Sequence, residues 1–248
     1  MKGVNWSELD VCIDDYIGSA GFDLDELPNR VDPLTTSREE LALARYKMWQ
    51  PGQRLRIRFL DGEQALHWRV EEQASQWLKY ANLEFEFGNF PDAEIRITFN
   101  GSGYRSLVGT DALKRPSPFP TMTLGGFTVN TNATELRRVV IHEFGHAIGC
   151  VHEQSSPSID IPWDVEKVYA YYARYGWDKA KVDDNVLKRY KKHEVFHTED
   201  HDEDSIMQYP VNKALTIGDF EIGWNTELSE KDKIFIAKMY PKEESLRW

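Results

Sequence analysis

The sequence predicts an α+β fold, a mixed sheet with helices packed on one side, and three observations carry that reading. Short runs alternating apolar with polar residues recur between positions 54 and 124. A helix-patterned stretch interrupts them at about Glu63–Lys79, and a longer one follows from about Ala133. The 248 residues are 41% hydrophobic, with 8 Trp, 11 Tyr and 12 Phe, which suits one large domain or two lobes around a cleft.

Residues 1–36 are acidic and punctuated by Gly18, Gly21, Pro28 and Pro33. Ser37-Arg38-Glu39-Glu40 is a capping box opening a helix through about Met48, which Pro51-Gly52 stops. Leu55, Ile57 and Phe59 alternate with Arg54, Arg56 and Arg58, the pattern of a half-buried strand ending at the Asp61-Gly62 turn. The helix from about Glu63 to Lys79 turns Leu66, Val70, Trp77 and Leu78 inward. Further strand signals fall at Leu83–Phe87, Ile95–Phe99, Tyr104–Val108 and Thr121–Leu124. Asn132, with Glu135 three residues on, starts a helix from about Ala133 to Ile148. Its Leu136, Val140, Phe144 and Ile148 form a stripe that packs on the sheet. Beyond Pro157 comes an aromatic helical stretch, Val165–Tyr175, whose tyrosines 169, 171, 172 and 175 read as packing residues. A second capping box, Ser229-Glu230-Lys231-Asp232, opens a final helix that ends before Pro241.

Composition narrows the function. Thirty Lys and Arg stand against 41 Asp and Glu, a net charge of -11, which argues against a nucleic-acid or anionic-membrane surface. No apolar run approaches the ~20 residues a membrane helix needs, so no membrane span is expected. Met1–Glu8 lacks the apolar core of a secretory signal. With only Cys12 and Cys150 there is no disulfide framework, and two free thiols are expected rather than a bridge.

The chemistry concentrates in His142-Glu143-x-x-His146-x-x-Gly149-x-x-His152. Residues four apart lie roughly 40° apart around a helix axis, so His142 and His146 reach one ion together. Glu143 lies about 100° from His142, close enough to touch a water at that ion without ligating it. Gly149 lets the helix end and the chain turn, and His152 returns as third ligand. Three neutral imidazoles leave zinc a fourth, open position, the mark of a catalytic and not a structural site. The expected reaction is hydrolysis by a zinc-activated water, with Glu143 as general base.

This pattern resembles the metzincin metallopeptidases. Two further features are similar to the astacin branch: Glu153 directly follows the third His, and Ser205-Ile206-Met207-Gln208-Tyr209-Pro210 matches its Ser-x-Met-x-Tyr Met-turn. The resemblance runs from about Trp49 to Pro241 and is strongest to cysteine-poor microbial members. It implies a metzincin-like zincin with a twisted, mostly parallel five-stranded sheet and the active-site helix in an upper lobe, residues 48–152. An irregular, helical lower lobe, 153–248, completes a catalytic domain of 48–248. It implies a zinc metalloendopeptidase that hydrolyses internal bonds of a protein or peptide substrate with one catalytic Zn2+. By the same resemblance Met207 forms a hydrophobic base beneath the zinc, and Tyr209 is a switchable fifth ligand that stabilises the oxyanion. Tyr104, Arg105 and Ser106 sit on the strand that such enzymes offer to an extended peptide. Relatives of this type are often kept latent by an N-terminal segment that lays a Cys or Asp on the zinc. Cys12, Asp23 and Asp25 are therefore candidates within residues 1–47, the alternative being an arm that wraps the upper lobe. Most relatives act outside the cell, whereas this sequence shows no export signal; compartment and oligomeric state are left unassigned.

Rival readings are weaker. A second His193-Glu194-x-x-His197, followed by His201, lacks the Gly-x-x-His continuation and is crowded by Lys191, Lys192, Glu199 and Asp200. It reads as solvated surface, with an auxiliary metal site as the other reading. His67 reads as packed or solvated, and Glu199–Asp204 as a solvated loop, with calcium binding its rival. A zinc-binding but inactive homologue, acting as a protein-binding module, is the alternative function. Its signature would be loss of the base, and Glu143 is present.

Overall fold

Alternation in the first strand sets the two faces of the sheet. In β1 (Arg54–Phe59) Leu55 and Ile57 are fully buried, while Arg56 is held outside by Asp92 and Glu94, each at 2.8 Å. The computed structural model describes residues 47–157, 159–189 and 201–242. The expected helix of 37–48 lies almost wholly outside them, as do Cys12, Asp23, Asp25, His193 and His197.

Four more strands complete the sheet: β2 (Glu84–Phe87), β3 (Ile95–Thr98), β4 (Tyr104–Ser106) and β5 (Met122–Leu124). Their order is β2-β1-β3-β5-β4, parallel throughout except for β4, which runs antiparallel to β5 at one edge. This is the mostly parallel five-stranded sheet that the family resemblance implied. Central β3 is buried along its length, Arg96 included, whose guanidinium donates to the carbonyls of Ala93, Arg115 and Phe119 at 2.7 Å each. β4 is shorter than the expected Tyr104–Val108. Gly109, at φ 52°, opens a 3-10 turn over Gly109–Lys114, and a Cβ there would stand 1.6 Å from the Lys47 carbonyl oxygen.

The stretch predicted as one helix to Lys79 is two elements, α1 (Gln64–Ala74) and a 3-10 turn at Trp77–Lys79. The α-helix ends at Ser75, whose amide and hydroxyl both donate to the Glu71 carbonyl, at 3.1 and 2.7 Å. Trp77 then turns into the core, its indole N–H on the Ile141 carbonyl at 2.8 Å, and Leu78 is left only partly buried. α2 (Ala133–Ala147) carries the histidine motif. The Asn132 side chain accepts from the amides of Thr134 and Glu135, but Glu135 turns to Arg138 instead of completing a capping box. Leu136, Val140, Phe144 and Ile148 are buried as predicted, and Phe144 meets Phe85 at 5.4 Å between ring centres. The carbonyls that α2 leaves unpaired at its C-terminal end are satisfied from afar. Trp49 Nε1 donates to Ala147 at 2.8 Å and the Tyr240 hydroxyl to Ile148 at 2.5 Å.

Below the cleft, α3 (Val165–Ala173) and α4 (Lys179–Val182) build a second core of Val168, Tyr172, Trp177, Val182, Val186, Tyr209 and Leu215. α3 stops before the expected Tyr175, and Gly176 turns the chain at φ 78°. α5 (Glu230–Met239) starts at the capping box of Ser229 and Asp232, and Ile236, Met239 and Tyr240 rejoin the main core. No helix among the described residues is long and apolar enough to cross a membrane.

Truncating Phe144 to Ala should cost about 3–5 kcal/mol. Replacing the cap, Asn132→Ala, should cost about 1 kcal/mol. Urea denaturation of both variants checks the order; a milder effect at Phe144 than at Asn132 would contradict this packing of α2.

Candidate metal centre

Two imidazoles are aimed by carbonyl groups before any ion is considered. Nδ1 of His142 lies 2.8 Å from the Ile206 oxygen, and Nδ1 of His146 lies 2.9 Å from the Cys150 oxygen. A carbonyl only accepts, so each Nδ1 carries the proton and each Nε2 presents a lone pair. Burial, reinforced by His146 and His152, holds His142 well below the ordinary histidine pKa and therefore neutral. Gly149, at φ 106°, turns the chain off the end of α2, and His152 Nε2 arrives 3.0 Å from that of His146 and 3.3 Å from that of His142.

Nε2 of His142 and of His146 thus offer lone pairs toward the point where His152 Nε2 arrives, a gathering of three imidazole nitrogens that suits one shared cation. Zinc with nitrogen ligands at about 2.0–2.1 Å in a tetrahedron separates them by about 3.3 Å, so these residues fit the ion. Among the described residues, His142, His146 and His152 are the one group of this kind able to hold a metal. His201 does something else: its Nε2 is 2.8 Å from the Gln208 amide oxygen. His67 is packed, stacked on Phe59 at 4.0 Å with Nε2 on the Asp61 carbonyl.

The Met-turn is fixed by a residue read in the sequence only as part of a capping box. Asp232 accepts from Ser205 Oγ at 2.7 Å, from the Ile206 amide at 2.8 Å and from the Ser229 amide at 3.0 Å. It thereby sets the Ile206 carbonyl that aims His142. Met207 lies under α2, for a Cβ added at Gly145 would stand 2.4 Å from its sulfur and 3.0 Å from Trp77. The Glu153 amide donates to the Met207 carbonyl at 3.0 Å, tying the third histidine's segment to the same turn. Burial pushes the Glu153 carboxyl up to about 7, against the hydrogen bond from the Asp202 amide. Asp202 corrects the expectation of a wholly solvated acidic loop: it is buried and takes the Ser229 hydroxyl at 2.5 Å, because α5 covers it.

His142 and Glu143 open onto a recess shared with Tyr104, Arg138, Val139, Ile206, Gln208, Tyr209, Trp224 and Asn225. The Tyr209 ring sits 4.3 Å from that of His152 and 5.5 Å from that of His142. Tyr104 reaches the recess from β4, its hydroxyl pushed up to about 12 by burial and by Glu135 beside it. Ser106 turns its side chain into the core, and Arg105 pairs with Thr123 of β5. The sequence reading missed Arg138, Gln208, Trp224 and Asn225. Arg138 carried a signal, standing one helical turn before His142 on the same face; Trp224 and Asn225, on a loop, carried none.

One buried ion would complete these ligands while the recess reaches them from one side, the arrangement of a catalytic and not a structural metal site. No protein-family model and no curated protein sequence matches this chain. Solved structures do. One titled "Structure of myroilysin" is 41% identical with a TM-score of 0.78, covering 81% of this chain and 98% of its own. A second, "Crystal structure of myroilysin", is 40% identical at a TM-score of 0.62 over 79% and 86%. High choriolytic enzyme 1, a hatching enzyme zinc-protease from the medaka fish Oryzias latipes, shares the fold at 16% identity and a TM-score of 0.50, over 79% and 94%. The chain belongs to the astacin-like metzincin zinc proteases. Members of that family are zinc metalloproteases, and the three-histidine group suits one catalytic zinc.

Gly145→Ala should destabilise the protein by about 1–3 kcal/mol, although alanine favours a helix, because the added methyl meets Met207 with Trp77 behind it. A thermal melt showing a gain in stability would mean that Met207 is not seated beneath α2.

Proposed function

We propose that the protein is an endopeptidase cutting internal peptide bonds, with Glu143 as general base and Tyr209 as the oxyanion-stabilising group. Glu143 carries the reading. It follows His142 directly, is 1% exposed, and still lines the recess beside the three imidazoles. When bound there, zinc lowers the pKa of a water to about 7 and polarises the scissile carbonyl. Glu143 takes the proton of the attacking water and passes it to the leaving amine. Tyr209, fixed by its amide on Gln154 Oε1 at 3.2 Å and by ring contacts to two histidines, donates its hydroxyl to the developing oxyanion.

Substrate lies along β4, which has β5 on one side only. An extended peptide antiparallel to it adds through backbone hydrogen bonds. Tyr104 and Arg105 also offer side chains, and Ser106 its backbone alone. On this reading residues 48–248 form the catalytic domain, with lobes 48–152 and 153–248 and α5 returning to the upper core, and residues 1–47 are a separate N-terminal segment.

Glu143→Gln should keep about one zinc per chain while losing at least about 10²-fold in hydrolysis of a mixed peptide library. Wild-type turnover by that variant would overturn the assignment. Tyr209→Phe should lower kcat by about 10²-fold with KM little changed, as expected when one oxyanion donor is removed. Steady-state kinetics on a single peptide distinguishes that from a binding defect.

A further inference from the structure

We infer that Arg138, laid across Trp224, closes the recess beside Glu143 and restricts the residue on the leaving-amine side of the scissile bond to a small, uncharged side chain. The inference rests on the proteolytic reading and supplies the specificity of its cleft.

Position comes first. Glu143 hands its proton to the leaving amine, so the recess next to it receives the side chain carried by that amine's residue. A peptide antiparallel to β4 also passes Ser106 first and Tyr104 last, and Tyr104 lines this recess. Both considerations put Arg138 and Trp224 on the C-terminal side of the cut.

The guanidinium is already committed. Its Nη2 meets both carboxylate oxygens of Glu135 at 2.8 and 2.9 Å, and Nε meets one of them at 3.3 Å. Its carbon lies 3.8 Å from the Trp224 ring centre, a cation–π stack, and the side chain is 16% exposed. An acidic substrate side chain would find the Nε–Nη2 edge already taken by Glu135. A neutral one makes no claim on that edge.

The wall behind it is anchored. Asn225 Nδ2 donates to the carbonyls of Glu203 at 2.6 Å and Ser205 at 2.8 Å, and Arg137 pairs with Glu227 at 2.9 Å. The residues that follow Trp224 are thus tied to the Met-turn segment and to α2. The space left is a cavity of about 20 Å³. That is room for about one water, so a leucine or phenylalanine side chain would have to shift Arg138 or Trp224 to seat itself there. Cutting Arg138 back to Cβ would leave a deeper recess walled by Trp224, Val139 and Tyr104, which suits a large apolar residue.

The test uses peptides that differ only after the scissile bond, carrying Ala, Leu or Asp. Wild-type kcat/KM is measured for each, together with Kd on the Glu143→Gln protein, which should bind without cutting. Ala should be favoured over Leu and Asp by about tenfold or more in both measurements. Adding Arg138→Ala should bring Leu to within about threefold of Ala, or past it. Trp224→Ala should do the same without altering α2, which guards against a folding defect in the first variant. Equal handling of Leu and Ala by the wild type, a preference for Asp, or selectivity that survives both substitutions would overturn the inference. Selective binding without hydrolysis by the wild type would uphold it and remove the proteolytic reading instead.

Discussion

Three imidazole nitrogens gathered so that His152 stands 3.0–3.3 Å from the other two form a seat for one cation, and much of the molecule serves to hold them there. Neither the helical spacing of His142 and His146 nor the turn at Gly149 is sufficient alone. Each ring of the pair on α2 also needs its second nitrogen fixed, and the acceptors are backbone carbonyls at Ile206 and Cys150. Such outer partners set tautomer and ring direction, and losing them in metalloenzymes typically costs about 10–100-fold in metal affinity or activity.

Asp232 shows how far that demand reaches. By accepting three hydrogen bonds it joins the start of α5 to the Met-turn, and through Ile206 to the first ligand. The far end of α2 is tied as firmly, by Trp49 and by Tyr240 just beyond α5. α5 is thus less an appendage to the lower lobe than a clamp on both ends of the site. The same segment, 203–206, also accepts from the Asn225 side chain and so steadies Trp224 over the cleft. Metal geometry and the cleft wall therefore share one support, and a change in either is felt by the other.

Much of this was legible beforehand for a common reason: the information was local. A 3.6-residue period puts His142 and His146 on one face and Leu136, Val140, Phe144 and Ile148 on another, whatever surrounds the helix. Alternation in Arg54–Phe59 specifies which face of β1 is buried. Asn132, Ser229 and Gly149 mark helix ends through hydrogen bonds and backbone angles within a few residues. The Met-turn was found by its likeness to a family pattern, and no period or cap predicts it.

What tertiary structure alone decided lies between segments remote in the chain. The stack of Arg138 on Trp224, the second role of Asp232, the turn of Trp77 into the core and the inward Ser106 have no local signature. The first three depend on contacts with segments remote in the chain: Asn225 bonded to the Glu203 and Ser205 carbonyls for the stack, the Met-turn for Asp232, α2 for Trp77. The sequence by itself determined which residues can hold the ion, because a helix enforces that spacing unaided. The shape of the cleft beside the ion was decided only by packing, because a loop carries no period and takes its position from whatever it is bonded to.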